Sequence, residues 1–260
     1  MISKFIITLK TSDIKNINAY SFDKNNIKYE LFYGVNSKFN EHIDYKKLIH
    51  PLSFVFTPKS NLGICLSHIL LAKKIVKDNI KYALILEDDA YPFDYNSLED
   101  NINKVIENFN KIDKNWDMIN LHSDGIFQDD KKNINLYSGS AAAYLISING
   151  AKKIANSYAY HHFDIQTTIN PQINKYKNSK NLFWTNEKYS NNRCNSKNIL
   201  KKAITYILSL FISFRGEKNW YILLSYYVIK IPWIEYELDG FILLIFSLVT
   251  ISYFILQKIL

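Results

Sequence analysis

Short apolar runs alternate with stretches of helical spacing over roughly the first 198 residues. Phe5–Leu9 and Tyr29–Tyr33, the second ended by Gly34, read as strands. From Asn61 to Lys77 the apolar residues Leu62, Cys65, Leu66, Ile69, Leu70, Ile75 and Val76 recur at the spacing of one helix face. Tyr82–Leu86 is a short, fully apolar strand, Leu98–Phe109 an amphipathic helix, and Trp116–Leu121 and Ala142–Ile146 two more strands. Ser147 is placed to cap a helix over Ile148–Ile154, because its hydroxyl can accept one of the amides left over at a helix start. Strand and helix alternating in this way predict an α/β fold with a mainly parallel sheet covered on both faces. Such sheets bind ligands beyond the carboxyl ends of their strands, so chemistry is expected just after Leu86, Leu121 and Leu136.

Residues 1–185 form the domain this pattern describes. The Asn-, Ser- and Lys-rich stretch 186–198 reads as a linker. Beyond it, Ala203–Phe214, Asn219–Ile229 and Gly240–Gln257 carry no charge, and 199–260 reads as a hydrophobic, helical, membrane-associated tail. The run 240–257 is close to the ~20 residues a helix needs to cross a bilayer. Trp220, Tyr226, Tyr227 and Trp233 suit a lipid–water interface, and the two earlier segments are expected to lie there as helices. The apolar run at the N-terminus is too short for a secretory signal. A C-terminal membrane anchor with the catalytic domain on the cytoplasmic side is therefore expected.

Composition alters this picture little. With 48% hydrophobic and 22% charged residues the chain is no disordered polymer. The net charge of +8 suits phosphate-bearing ligands or an anionic lipid surface, and equally simple solubility. No dense basic block interleaved with aromatics appears, so nucleic acid is not an expected partner. Cys65 and Cys194 make neither a disulfide framework nor a metal-binding spacing, which points to a reducing compartment.

The sharpest local signal is Glu87-Asp88-Asp89, directly after the apolar strand 82–86. Three successive carboxylates repel one another, and a fold tolerates them when a cation neutralises them or water solvates them. Oxygen ligands select hard ions such as Mg²⁺ or Mn²⁺, which take one or two protein carboxylates and complete their shell with substrate phosphates. A solvated turn and a two-metal phosphoesterase are the other readings of the same triplet.

Three stretches occurring in order narrow the choice. Asn61-Leu-Gly-Ile-Cys-Leu-Ser-His68, then Tyr82-Ala-Leu-Ile-Leu-Glu-Asp-Asp-Ala90, then Ser140-Ala-Ala-Ala-Tyr-Leu-Ile-Ser-Ile-Asn-Gly-Ala-Lys-Lys153 resemble glycosyltransferase family 25. That family includes lipooligosaccharide and collagen galactosyltransferases. His161-His-Phe-Asp164 is similar to the Asp-bearing segment that follows in the family. The resemblance spans about residues 1–185 and implies a GT-A-like fold, a nucleotide-sugar donor and inversion at the anomeric carbon. It places Asp88 and Asp89 in the metal-binding acidic motif, with Mn²⁺ (or Mg²⁺) as the expected ion and Glu87 beside it. The chain departs from the family in its opening strand region, where the usual Arg is missing and Lys10 and Lys15 are the nearest basic residues, and after Asp164, where only Asn170-Pro171 suggests the closing Pro-rich segment.

Physical chemistry gives the remaining residues their expected parts. Ser67 and His68, taken to lie on the first turns of helix 61–77, would meet a diphosphate with free amides and the helix dipole behind them. His68 tucked under the sheet is the structural alternative. Asp164 would accept the proton of an acceptor hydroxyl, the general base that single-step inversion requires, and otherwise caps a helix over Ile165–Ile169. Gly139 and Ser140 would let backbone approach the donor sugar. His122 and Asp124, after the strand ending at Leu121, would face donor or acceptor. His161 and His162, adjacent and without a third ligand, are not expected to bind metal.

The expected activity is a metal-dependent inverting transfer of a hexose, galactose favoured. The donor would be UDP-linked and the acceptor a hydroxyl of a glycan, glycolipid or protein. A catalytically silent membrane-anchored scaffold and a metal-dependent phosphoesterase are the alternatives from other classes.

Overall fold

Phe5, Ile6 and Ile7 anchor the first strand, β1 (Ser3–Thr8), and the apolar runs read from the sequence supply its neighbours, together with one strand the sequence did not show, Lys175-Tyr-Lys177. These are β2 (Glu30–Tyr33), β3 (Tyr82–Glu87), β5 (Met118–Asn120), β6 (Ala143–Ser147) and β7 (Lys175–Lys177). Together they form one six-stranded sheet in the order β2-β1-β3-β6-β5-β7. A separate antiparallel pair, β4 (Ala90–Pro92) with β8 (Phe183–Thr185), lies beside it. The computed structural model describes residues 2–13, 15, 17–36, 43–51, 53, 57, 59–122, 140–170, 172–186, 228–230 and 237–239.

Direction within the sheet is mixed. The β1–β2, β1–β3 and β5–β7 pairings are parallel, whereas β6 runs antiparallel to both β3 and β5. The sheet is thus mainly parallel, with one reversed strand near its centre. The reversal leaves no mark in the sequence, because a central strand buried on both faces reads as one apolar run whichever way it points.

Side chains alternate across the sheet, and each face meets helices. Phe5, Ala83, Ile85, Tyr144 and Ile146 pack with α3 (Lys59–Lys77), α5 (Ile148–Ala155) and α6 (Phe163–Ile169). Ile6, Leu84, Leu86, Ala143 and Leu145 pack with α1 (Asn18–Lys24) and α4 (Leu98–Ile112). The short α2 (Ile43–Lys46) precedes α3. Helix α3 ends on Asn79, whose φ of 51° is left-handed; Asn79 N bonds Val76 O and Ile80 N bonds Ile75 O, closing a Schellman motif that aims the chain into β3.

Ser147 caps α5 as expected, accepting a hydrogen bond from Gly150 N. Gly150 is there for space: a Cβ on it would sit 2.3 Å from the backbone oxygen of Asp117. Gly150→Ala is expected to lower stability by about 3 kcal/mol, since a backbone atom at that distance yields only if α5 moves off the sheet. A urea melt checks this through a reduced midpoint at unchanged slope.

The tail departs from expectation where it is described. Val228–Lys230 (β9) and Glu237–Asp239 (β10) pair as antiparallel strands, with Glu237 opposite Lys230. The helix expected over 219–229 therefore does not include Val228 and Ile229, two β-branched residues that favour extended backbone. The candidate span 240–257 and all of the linker except Asn186 lie outside the described residues. Among the described residues, no helix is long and apolar enough to cross a membrane.

Candidate functional site

The acidic triplet stands at the carboxyl end of β3, where the chain turns from the sheet into β4. Several groups fasten that turn. Asp88 Oδ2 accepts hydrogen bonds from Thr8 Oγ1 (2.9 Å) and Ser12 Oγ (3.3 Å), both just beyond or at the end of β1. The first residue of α1, Asn18, donates its backbone amide to Asp88 O at 3.0 Å. Its side-chain amide donates to Glu87 O (3.1 Å) and to Ala90 O. From the other side, Asn186 N donates to Asp89 O at 2.9 Å. The turn is consequently not an exposed one: Asp89 is only 8% exposed. Burial pushes the Asp88 carboxyl above its ordinary range; the Thr8 hydroxyl pulls it back, and the charge of Glu87 adds to the rise.

Ser67 and His68 lie deeper than the sequence suggests. Helix α3 begins at Lys59, which puts both in its third turn, beyond the free amides of the N-terminus. The helix-dipole argument for phosphate at these two residues is thereby corrected. Ser67 Oγ accepts from Val35 N (2.8 Å) and donates to Gly63 O (2.7 Å), tying the segment after β2 to the helix. Gly34 has no room for a side chain there, since a Cβ would sit 2.7 Å from that same oxygen. Ser67→Ala strands the buried Val35 amide and is expected to cost about 1–3 kcal/mol of stability, read in the same urea melts.

His68 is buried against the sheet. Its Nδ1 lies 2.8 Å from the Tyr144 hydroxyl, and its ring stacks on Phe163 with centroids 4.0 Å apart and planes 7° from parallel. Its Nε2 lies 3.5 Å from Glu87 Oε1. His68 thus joins the first acid of the triplet to α6.

Asp164 sits in the first turn of α6, but His162, not Asp164, occupies the cap position, so the capping alternative does not describe this structure. Asp164 Oδ2 is 3.3 Å from His162 Nδ1. Burial works to raise the Asp164 carboxyl, yet the opposing pull of His162, Lys175 and His68 leaves it below its usual value. His162 shows the mirror effect: burial lowers its pKa, Asp164 more than offsets this, and the net shift is upward. Burial, then the neighbouring His162 charge, push His161 down to about 4. Its Nδ1 accepts a hydrogen bond from His162 N at 2.7 Å, which fits a neutral ring.

On the far side of β3, Asn120 Nδ2 donates to Ser140 O (2.7 Å), and Ser140 Oγ accepts from Ala142 N (3.2 Å). His122 Nδ1 lies 3.0 Å from Phe183 O. Gly139 and Asp124 lie outside the described residues. Because β6 runs backwards, its amino end meets the carboxyl ends of β3 and β5. One edge of the sheet therefore gathers Thr8, Glu87, Asp88, Asp89, Asn120, His122 and Ser140, with His68 and Asp164 beneath it on the α3–α6 side.

Sequence reasoning missed Thr8, Ser12, Asn18, Tyr144 and Lys175. Only Thr8 and Ser12 carried a signal, as hydroxyl residues following an apolar strand. Among the described residues, no group of three or more His, Cys, Asp or Glu is arranged to hold a metal ion.

No curated protein matches the chain. A solved structure described as "Crystal Structure of A197 from STIV" is 13% identical, the match covers 68% of this chain and 82% of that one, and the TM-score is 0.41. Residues 1–169 match the family described as "Glycosyltransferase family 25 (LPS biosynthesis protein)". The match takes in the acid turn, His68, the β6–α5 block and Asp164, and on it the chain belongs to glycosyltransferase family 25.

Proposed function

We propose that the chain transfers a hexose, galactose favoured, from a UDP-linked donor to a hydroxyl of a glycan, glycolipid or protein, with inversion at the anomeric carbon. The observation that carries this is the acid turn: three carboxylates, half-buried to buried, at the carboxyl edge of an α/β sheet and fixed there by Thr8, Ser12 and Asn18. Asp88 and Asp89 fit a hard divalent ion of the Mn²⁺ or Mg²⁺ kind. Burial disfavours the Asp88 charge, a cation would offset it, and such ions take one or two carboxylates while diphosphate oxygens complete the shell. When bound, the ion would supply charge stabilisation for the departing nucleotide diphosphate.

The chain's own residues do the rest. Asp164, kept ionised by His162, Lys175 and His68, accepts the proton of the acceptor hydroxyl. The freed oxygen bonds the anomeric carbon on the face opposite the breaking bond to the diphosphate, which departs with that electron pair. Glu87, His122 and Ser140 line the edge where the donor sugar lies, and His68 braces Glu87 from below. The uncharged run 240–257 supports membrane attachment through the tail, which would bring the domain to a lipid-linked acceptor.

A panel of nucleotide hexoses, incubated with Mn²⁺ and glycan or glycolipid acceptors, tests the proposal. The expected result is acceptor-dependent UDP release and a product whose anomeric configuration is opposite to the donor's. A product that retains the donor configuration would overturn the inverting mechanism. Failure to bind UDP in the presence of Mn²⁺, measured by calorimetry, would overturn the donor assignment.

A further inference from the structure

Lys175 is a buried lysine on an edge strand, and in the transfer scheme it figures only as one of three groups whose charge acts on Asp164. Its ammonium donates to Thr167 Oγ1 (3.0 Å), Thr168 Oγ1 (3.0 Å) and, at 3.4 Å, the backbone oxygen of Asp164. The two threonine hydroxyls in turn donate to Asp164 O, and Thr167 also to Phe163 O. All these oxygens belong to α6, a helix of seven residues with no side-chain cap, too short to hold its own shape in water. Burying an ammonium among neutral oxygens is unfavourable beside an apolar side chain of the same size, so packing alone does not explain a lysine here.

We infer that Lys175 is a positioning residue for the transfer: it ties the first turn of α6 to β7 and so holds Asp164 in place relative to His68, which faces Glu87. The inference rests on Asp164 being the proton acceptor. The geometry makes the link short. Phe163, next to Asp164, stacks on His68, and His68 faces Glu87 at 3.5 Å, so a slip in the first turn of α6 moves the acceptor carboxylate relative to the acid turn. Lys175 also acts through charge. The groups around Asp164 are His162 on its own segment, Lys175 on β7, His68 and Cys65 on α3 and Tyr144 on β6, while Glu87 on β3 acts on His162 and Tyr144. Among them Lys175 is one of the three that pull the Asp164 carboxyl down.

Full-length Lys175→Met, Lys175→Arg and Asp164→Asn, assayed with donor and acceptor across pH, test the inference. Lys175→Met is expected to lower kcat by about tenfold to a hundredfold with donor KM within about twofold, the pattern of a misplaced reacting group. The acid limb of its kcat/KM profile is expected to move toward neutral pH, because the base loses a nearby cation. Lys175→Arg, which keeps the charge and the donors, restores most of kcat. An inactive Asp164→Asn together with unchanged kcat and pH profile in Lys175→Met overturns the inference alone. An active Asp164→Asn overturns the assignment of Asp164 as base, and the inference falls with it. If Lys175→Met does not fold, Thr168→Val removes one of the ammonium's acceptors. A smaller loss of kcat with the same displaced acid limb supports the inference, and an unchanged kcat and profile overturns it.

Discussion

Asp89→Asn is expected to reduce turnover by about a hundredfold to a thousandfold at saturating donor, the loss typical when one preorganised group that stabilises developing charge is removed. Asparagine is the informative replacement because Asp89 is nearly enclosed, so an alanine would leave a gap as well as remove a charge. The amide keeps the shape of the carboxylate and loses only its negative charge. Folding should change little, since the backbone oxygen of Asp89 that receives Asn186 N is untouched. The dependence of rate on Mn²⁺ separates this from general damage: the variant should require far more ion for half-maximal rate, with an unaltered urea midpoint. Turnover within about threefold of the parent at the same Mn²⁺ would remove Asp89 from the mechanism.

The second large effect is on stability in acid. His161 has a folded pKa of about 4 against 6.5 in the open chain. Between those values the unfolded chain binds a proton that the native state refuses, so stability falls as pH falls across that window. The loss amounts to about 3 kcal/mol once pH reaches the folded value, since a tenfold change in proton binding corresponds to roughly 1.4 kcal/mol. His162 does not contribute in this window. Its raised pKa gives stability that is complete below 6.5 and is lost only as pH climbs through its folded value. Asp164, with a lowered pKa, gives stability present above the ordinary carboxylate range and lost only below it. Urea melts from neutral pH down to the folded pKa of His161 should therefore show a steep decline that His161→Asn abolishes, because an asparagine oxygen can accept the His162 amide without a proton to gain. A decline of equal size in that variant would assign the acid sensitivity elsewhere.

What the sequence disclosed, and what it hid, follows from the range of the interactions involved. The acid turn was legible because its signal is local: an apolar strand followed at once by three carboxylates. The helix over Lys59–Lys77 was legible too, but Ser67 and His68 lie in its third turn, and even a start at Asn61 leaves them past the four free amides, so the turn count and not the pattern misplaced them. Asn18 was illegible, because an asparagine opening a short helix gives no hint of carbonyls some seventy residues away. Lys175 was hidden for the same reason. In Asn174-Lys-Tyr-Lys177 it looks like a surface lysine, and only the folded chain brings the α6 threonines to it. The direction of β6 depends on how the sheet closes, which no run of apolar residues encodes. On the tail, a composition that read as helix gave way at Val228 and Ile229 to a strand pair.

The Asn18 clip has a thermodynamic consequence for recognition. A loop that must order itself around a guest surrenders conformational entropy at each encounter and binds more weakly for it. Here the backbone oxygens of residues 87, 88 and 90 are already engaged by a single asparagine, so that ordering is complete once the chain has folded. Differences in affinity among guests at this turn then reflect their own chemistry rather than the work of shaping the receptor.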